Sequence, residues 1–174
     1  MAGGSSKTNL REQLERTLAG RVCFMGVGNA GYADDALGLH LAQQLLEAGV
    51  PDVVVAGNSP DRCLGSAVSM KFDHLVFLDT AEFGAAPGSV VFLDSHQIAA
   101  RYPQISTHKI SLGVLAGFVE SNGVTRAWLL GVQPESLKER NGLSPKVRKT
   151  LGVLLELLVH LRTQNARTRE TTLC

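Results

Sequence analysis

Residues 22–27 read Val-Cys-Phe-Met-Gly-Val, apolar without a break, and run straight into the glycine-rich turn Gly26-Val27-Gly28-Asn29-Ala30-Gly31. A strand with one wet face alternates apolar and polar side chains, whereas a strand that is apolar throughout must be covered on both faces. This one run therefore asks for a sheet enclosed between helices. The rest of the chain supplies the parts. Residues 10–18 have a short helical pattern stopped by Gly20, and residues 36–48 carry Leu37, Leu41, Leu45 and Leu46 at helical spacing. A second buried strand is expected over 53–56, a third over 74–78, a fourth over 89–93 and a last over 126–132. Further helices are expected over 60–70 and 109–119, with a short helix or loop over 95–103. A long final helix starts at Ser144-Pro145, serine as cap and proline at the first position. Its stripe is Val147, Leu151, Leu154, Leu155, Leu158 and Leu161.

Strands alternating with helices define an α/β fold, a single three-layer α/β/α domain around a twisted, mainly parallel five-stranded sheet. The chain of 174 residues, 44% of them hydrophobic, is long enough for one such core. The domain is expected over 9–162, between a disordered N-terminal tail at 1–8 and a polar C-terminal tail at 163–174.

Charge and cysteine content exclude several classes. Lysine and arginine total 17 against 16 acidic residues, which gives no electrostatic surface for nucleic acid. The longest apolar run, around 151–161, is broken by Gly152, Glu156 and His160 and cannot span a bilayer. The N-terminus lacks the apolar centre of a signal peptide. Cys23, Cys63 and Cys174 are far apart and odd in number, which argues against a disulfide framework or zinc cluster and for a reducing cytoplasm.

In parallel sheets the functional crevice lies beyond the carboxyl ends of the strands. After the first strand come Gly28, Asn29, Asp34 and Asp35; after the third, Asp79, Thr80 and Glu82; after the last, Gln133, Pro134 and Glu135. His108 stands just before a helix. Carboxylates with an imidazole suit a divalent cation better than a phosphate. The glycine motif on its own would suggest a dinucleotide site, but the second strand ends Ala56-Gly57-Asn58 without the acid that holds a ribose. The pyrophosphate would also have to rest on a helix start occupied by Asp34 and Asp35. Capping of that helix is the alternative role for the aspartates. One suffices for a cap, and spacing alone leaves capping and a place in the crevice equally open for the pair.

Four segments in order resemble the [NiFe]-hydrogenase maturation endopeptidases. They are Gly26-Val27-Gly28-Asn29 with Asp34-Asp35-Ala36-Leu37-Gly38, then Leu78-Asp79-Thr80-Ala81 with Pro87-Gly88, then Ser106-Thr107-His108, then Leu130-Gly131-Val132-Gln133-Pro134. The resemblance covers about residues 22–161 and is nearest the branch serving formate-hydrogenlyase-type hydrogenases. It implies an aspartyl-type endopeptidase that removes a C-terminal extension from a hydrogenase large-subunit precursor already loaded with nickel. It also implies a metal site of Asp35, Asp79 and His108, with Asp35 or Asp79 as the catalytic carboxylate. Gly28, Asn29, Asp34 and Gln133 would support that site. The nickel would come with the substrate, and other divalent ions could stand in for it. A cytoplasmic monomer is expected, with no nucleic-acid or membrane partner.

The other outcomes kept open are a Rossmann-like dinucleotide module and an inactive relative that only senses the loaded precursor. Ala36 departs from the family pattern, which has glycine there. If that position needs φ > 0, alanine is strained by ~1 kcal/mol or more; if it is the first helical turn, alanine is the better residue. Asp34 is expected to hold the turn and Asp35 to reach the metal. His40, His74, His96 and His160 read as structural or solvent-facing. No serine sits in a nucleophile elbow and Cys23 lies within a strand, which disfavours a covalent route.

Overall fold

The computed structural model describes residues 9–101, 110–139 and 142–171. Its centre is a sheet of β1 (Val22–Val27), β2 (Val53–Gly57), β3 (His74–Thr80), β4 (Val90–Asp94) and β5 (Arg126–Val132). The spatial order is β2-β1-β3-β5-β4. The first four strands of that order are parallel, and β4 runs antiparallel to β5 at the edge. The helices are α1 (Leu10–Thr17), α2 (Leu37–Glu47), α3 (Pro60–Ser69), α4 (Ser95–Arg101), α5 (Leu112–Glu120) and α6 (Pro145–Thr171). A 3-10 turn, Ala33–Ala36, leads into α2.

The apolar run of β1 is divided between two cores. Val22 and Phe24 join Val76 and Leu78 of β3 on one face, beneath Leu37, Leu41 and Leu45 of α2 and the leucine stripe of α6. Cys23, Met25 and Val27 point the other way, with Leu75 and Phe77, onto Leu64, Ile98, Leu115 and Val119 of α3, α4 and α5. Burying one such aliphatic or aromatic side chain contributes about 1.5–3 kcal/mol, so continuous apolarity in β1 is what holds both helical layers to the sheet.

Several boundaries differ from the sequence expectation. β2 is an edge strand, half-exposed along its length, not a buried one. A run of valines reads alike in both settings. β3 continues two residues further, through Asp79 and Thr80, because Asp79 and Thr80 pair with Gly131 and Val132 of β5. α5 begins at Leu112, capped by Ser111, whose Oγ accepts the Val114 N–H at 3.4 Å. α6 does not stop near residue 162 but runs to Thr171. Residues 163–171 contain no glycine or proline, and an established helix gains a hydrogen bond with every residue it adds. The expected tail over 163–174 is therefore helical as far as 171, and the expected disorder over 1–8 concerns residues outside those described.

Candidate active site

The chain leaves β1 towards β2 on one side and leaves β3 towards β5 and β4 on the other, so the topological switch point lies between β1 and β3. Ligands of open α/β sheets bind outside such a point. Asp35 and Asp79 reach it from different elements. Asp79 is the penultimate residue of β3, and Asp35 lies in the turn that follows β1; they are 4% and 3% exposed. The Asn29 N–H donates to Asp35 Oδ2 at 3.0 Å. Thr80 N–H donates to Asp79 Oδ1 at 2.8 Å, and the Thr80 hydroxyl lies 3.5 Å from Asp35 Oδ1. One residue thus donates to both carboxylates.

Asp34, beside Asp35 in sequence, is fully buried and faces a different set of groups. Its Oδ2 accepts from Glu135 N–H at 2.9 Å, Ser136 N–H at 3.0 Å and the Ser144 hydroxyl at 3.0 Å. Its Oδ1 accepts from Ser144 N–H at 2.7 Å. Burial by itself would push this carboxyl up; the donors from Ser144, Ser136 and Glu135 outweigh burial and hold it below the ordinary aspartate range. Asp34 therefore does not cap its own helix. Ala36, at the start of α2, has no side-chain cap, and Asp34 instead closes the N-terminus of α6, far along the chain. Ser144, expected to cap α6 with its hydroxyl, donates that hydroxyl to Asp34, while its carbonyl accepts from Arg148 N–H at 2.9 Å. Nothing local in the sequence signals a bond across 110 residues.

The glycines here serve packing, not a phosphate. Gly28 has φ +138°, and a side chain on it would overlap the Asp35 carbonyl oxygen. A side chain on Gly38 would collide with the Leu78 and Val27 carbonyls, so this glycine seats α2 directly on β1 and β3. In a dinucleotide fingerprint the third glycine makes that close approach; the third glycine of this motif, Gly31, meets only its own loop. Asn29 Oδ1 accepts the Gly31 N–H at 3.0 Å, an Asx turn that sets the loop from within. Ala36 has φ −75° and ψ −5°, ordinary helical values, so alanine is unstrained there.

Gln133 secures the other rim. Its Oε1 accepts from Phe83 N–H at 2.8 Å and Ala85 N–H at 3.3 Å, and its carbonyl accepts from Gly88 N–H at 2.9 Å. It holds the β3–β4 connection that follows Asp79. His108 lies outside the described residues, and among the described residues no three His, Cys, Asp or Glu side chains form a metal-binding group. His74 accepts from the Trp128 indole N–H at 3.1 Å, and burial lowers its pKa; His40, His96 and His160 lie on helices at or near the surface. Burial, with the Asp52 charge, pushes the Cys23 thiol up to about 12, so it is not a thiolate nucleophile at neutral pH. Sequence reasoning placed Thr80 on the rim beside Asp79 but gave it no role.

The architecture defines a doubly wound α/β protein with two buried carboxylates, Asp35 and Asp79, at its switch point. The sequence pattern of the HycI hydrogenase maturation protease family matches residues 36–161, and the chain belongs to that family and is a peptidase of hydrogenase maturation. The matched span contains Asp79, His108 and Gln133 and begins one residue after Asp35. The chain is 29% identical over 144 residues to the hydrogenase 2 maturation protease of Escherichia coli, covering 78% of this chain and 87% of that protein. The crystal structure of HycI, a [NiFe] hydrogenase maturation protease from Thermococcus kodakarensis, superposes with a TM-score of 0.77 at 28% identity, covering 87% of this chain and 99% of the other. For the E. coli endopeptidase HybD the TM-score is 0.67 at 28% identity, with 87% and 93% covered. Among the described residues no helix is long and apolar enough to cross a membrane.

Proposed function

We propose that this peptidase removes the C-terminal extension of a hydrogenase large-subunit precursor, and that it acts on precursor whose nickel is already in place. The observation that carries this reading is the pair of buried carboxylates, Asp35 and Asp79, set at the switch point and joined through Thr80. Carboxylates gathered from two strand ends repel one another, and a divalent cation between them relieves that repulsion. The nickel is part of the substrate. Asp35, Asp79 and His108 would complete its coordination and so anchor the loaded precursor with its scissile bond in the crevice. A water attacking that carbonyl would lose its proton to Asp35 or Asp79, which would pass it to the departing amine, and the bound nickel would supply Lewis-acid polarisation of the carbonyl oxygen. The buried Cys23, held as a thiol, favours this water route over a covalent one. Free Cys23 and Cys63 fit a cytoplasmic setting.

The test is cleavage of nickel-loaded and nickel-free precursor by the wild type and by Asp35→Asn, Asp79→Asn and His108→Gln. Processing of loaded precursor only, and its loss in the three variants, is expected. Full cleavage by all three variants overturns the site, and equal cleavage of both precursors overturns the nickel requirement.

A further inference from the structure

Thr80 is the one described residue seen to donate to both candidate carboxylates. Its backbone N–H bonds Asp79 Oδ1 at 2.8 Å, and its hydroxyl reaches Asp35 Oδ1 at 3.5 Å. The strand geometry accounts for this double reach. Successive side chains of a strand point to opposite faces, so Asp79 and Thr80 diverge; Leu78, like Thr80 in alternation, lies in the core beneath α2, and Phe77, like Asp79, lies in the core beneath α3, α4 and α5. Pairing with Val132 fixes Thr80 at the end of the sheet, on the side where the turn carrying Asp35 enters α2. The other oxygen of Asp35 is held by Asn29 N–H at the end of β1. Asp35 thus accepts from the loop after β1 on one oxygen and lies within reach of the end of β3 on the other.

We propose that Thr80 is a positioning residue for the peptidase reaction: it ties Asp35 to the strand end that carries Asp79, so that two carboxylates from separate elements present one fixed geometry to the substrate. This rests on the functional reading above. Backbone pairing of β3 and β5 does not depend on the hydroxyl, so its removal leaves the fold in place. The hydroxyl contact is long for a hydrogen bond, so its loss corresponds to about a two- to threefold change, the lower end of what such a bond contributes.

The experiment compares Thr80→Val, which keeps the shape and removes the hydroxyl, with Thr80→Ser, which keeps the hydroxyl. Kinetics of loaded-precursor cleavage, binding of nickel alone by titration calorimetry, and thermal unfolding are measured for each. Thr80→Val is expected to lose about two- to threefold in kcat with a smaller change in KM and to bind nickel more weakly by a similar factor. Thr80→Ser is expected to recover both, with unfolding midpoints unchanged across the set. Wild-type rates in Thr80→Val, or equal defects in Thr80→Ser and Thr80→Val, overturn the inference while the wild type still processes its precursor. A wild type that neither processes precursor nor binds nickel overturns the functional reading, and the inference with it.

Discussion

Asp34 and Asp35 are neighbours in sequence, equally buried, and belong to two different regions of the molecule. Asp34 sits in a closed junction: four donors from the β5–α6 connection and the start of α6 converge on its two oxygens. Asp35 belongs to the crevice, with donors from the ends of β1 and β3 and with Asp79 on the adjoining strand end. A buried carboxylate is costly unless its charge is answered. At Asp34 the protein's own N–H and O–H groups answer it, and the result is a fixed joint between three segments. At the crevice Asp35 shares Thr80 with a second buried carboxylate, Asp79, the pair to which the proposed function assigns the metal. The same residue type thus serves stability at one position and, in the proposed function, chemistry at the next.

The largest effect expected from breaking this contrast is on Asp34. Asp34→Ala leaves the N–H groups of Glu135, Ser136 and Ser144 and the Ser144 hydroxyl without their acceptor. Leaving that many buried donors unmade should lower stability by about 3–5 kcal/mol, read from urea unfolding. Asp35→Asn should change the same midpoint by less than about 1 kcal/mol while abolishing precursor processing, because the amide keeps an acceptor oxygen for Asn29 or Thr80. Equal losses of stability in the two variants would erase the distinction between joint and crevice.

Acid sharpens the comparison with a smaller effect. The Asp34 carboxyl is held below its ordinary value of 3.8. Its contribution is therefore complete above that ordinary value and is lost as pH falls from there through the lower value of the folded chain. The stability advantage of the wild type over Asp34→Asn should be constant from neutral pH down to about 5 and shrink below 3.8. Unfolding curves of the two proteins across that range provide the check; an advantage that grew in acid would contradict the assigned hydrogen bonds.

The sequence made the layers legible because period and continuity are local properties. β5 was read to the residue, Arg126–Val132, and the double-faced burial of β1 follows from its unbroken apolarity. What local pattern could not carry was whatever depends on a distant partner. A polar Asp-Thr pair reads as loop, and only pairing with β5 keeps Asp79 and Thr80 in β3. A valine run does not reveal whether its second edge is covered, so β2 read as buried. The expectation that Asp34 holds its own turn did not foresee that its bonds run to residues more than a hundred positions away, and Gln133 was singled out by its place after a strand without its task of holding the β3–β4 connection being visible.

Ala36 marks the seam between the two regions, and the smallest expected effect lies there. It follows both aspartates, is 1% exposed and precedes α2 as its N-cap in an ordinary right-handed conformation. Its methyl group packs in the core shared by α2, α6 and β1. Ala36→Gly restores the residue expected from the family pattern, yet in this backbone it removes a buried methyl and frees the unfolded chain. The cost should be about 1 kcal/mol from the lost burial and the added freedom of the unfolded chain. Precursor processing should stay within about twofold of the wild type, since Ala36 donates to neither carboxylate and Gly28 and Gly38 already provide the close approaches. If the glycine variant were instead more stable, the alanine would be the strained residue, and the turn presenting Asp35 would be under tension in this chain.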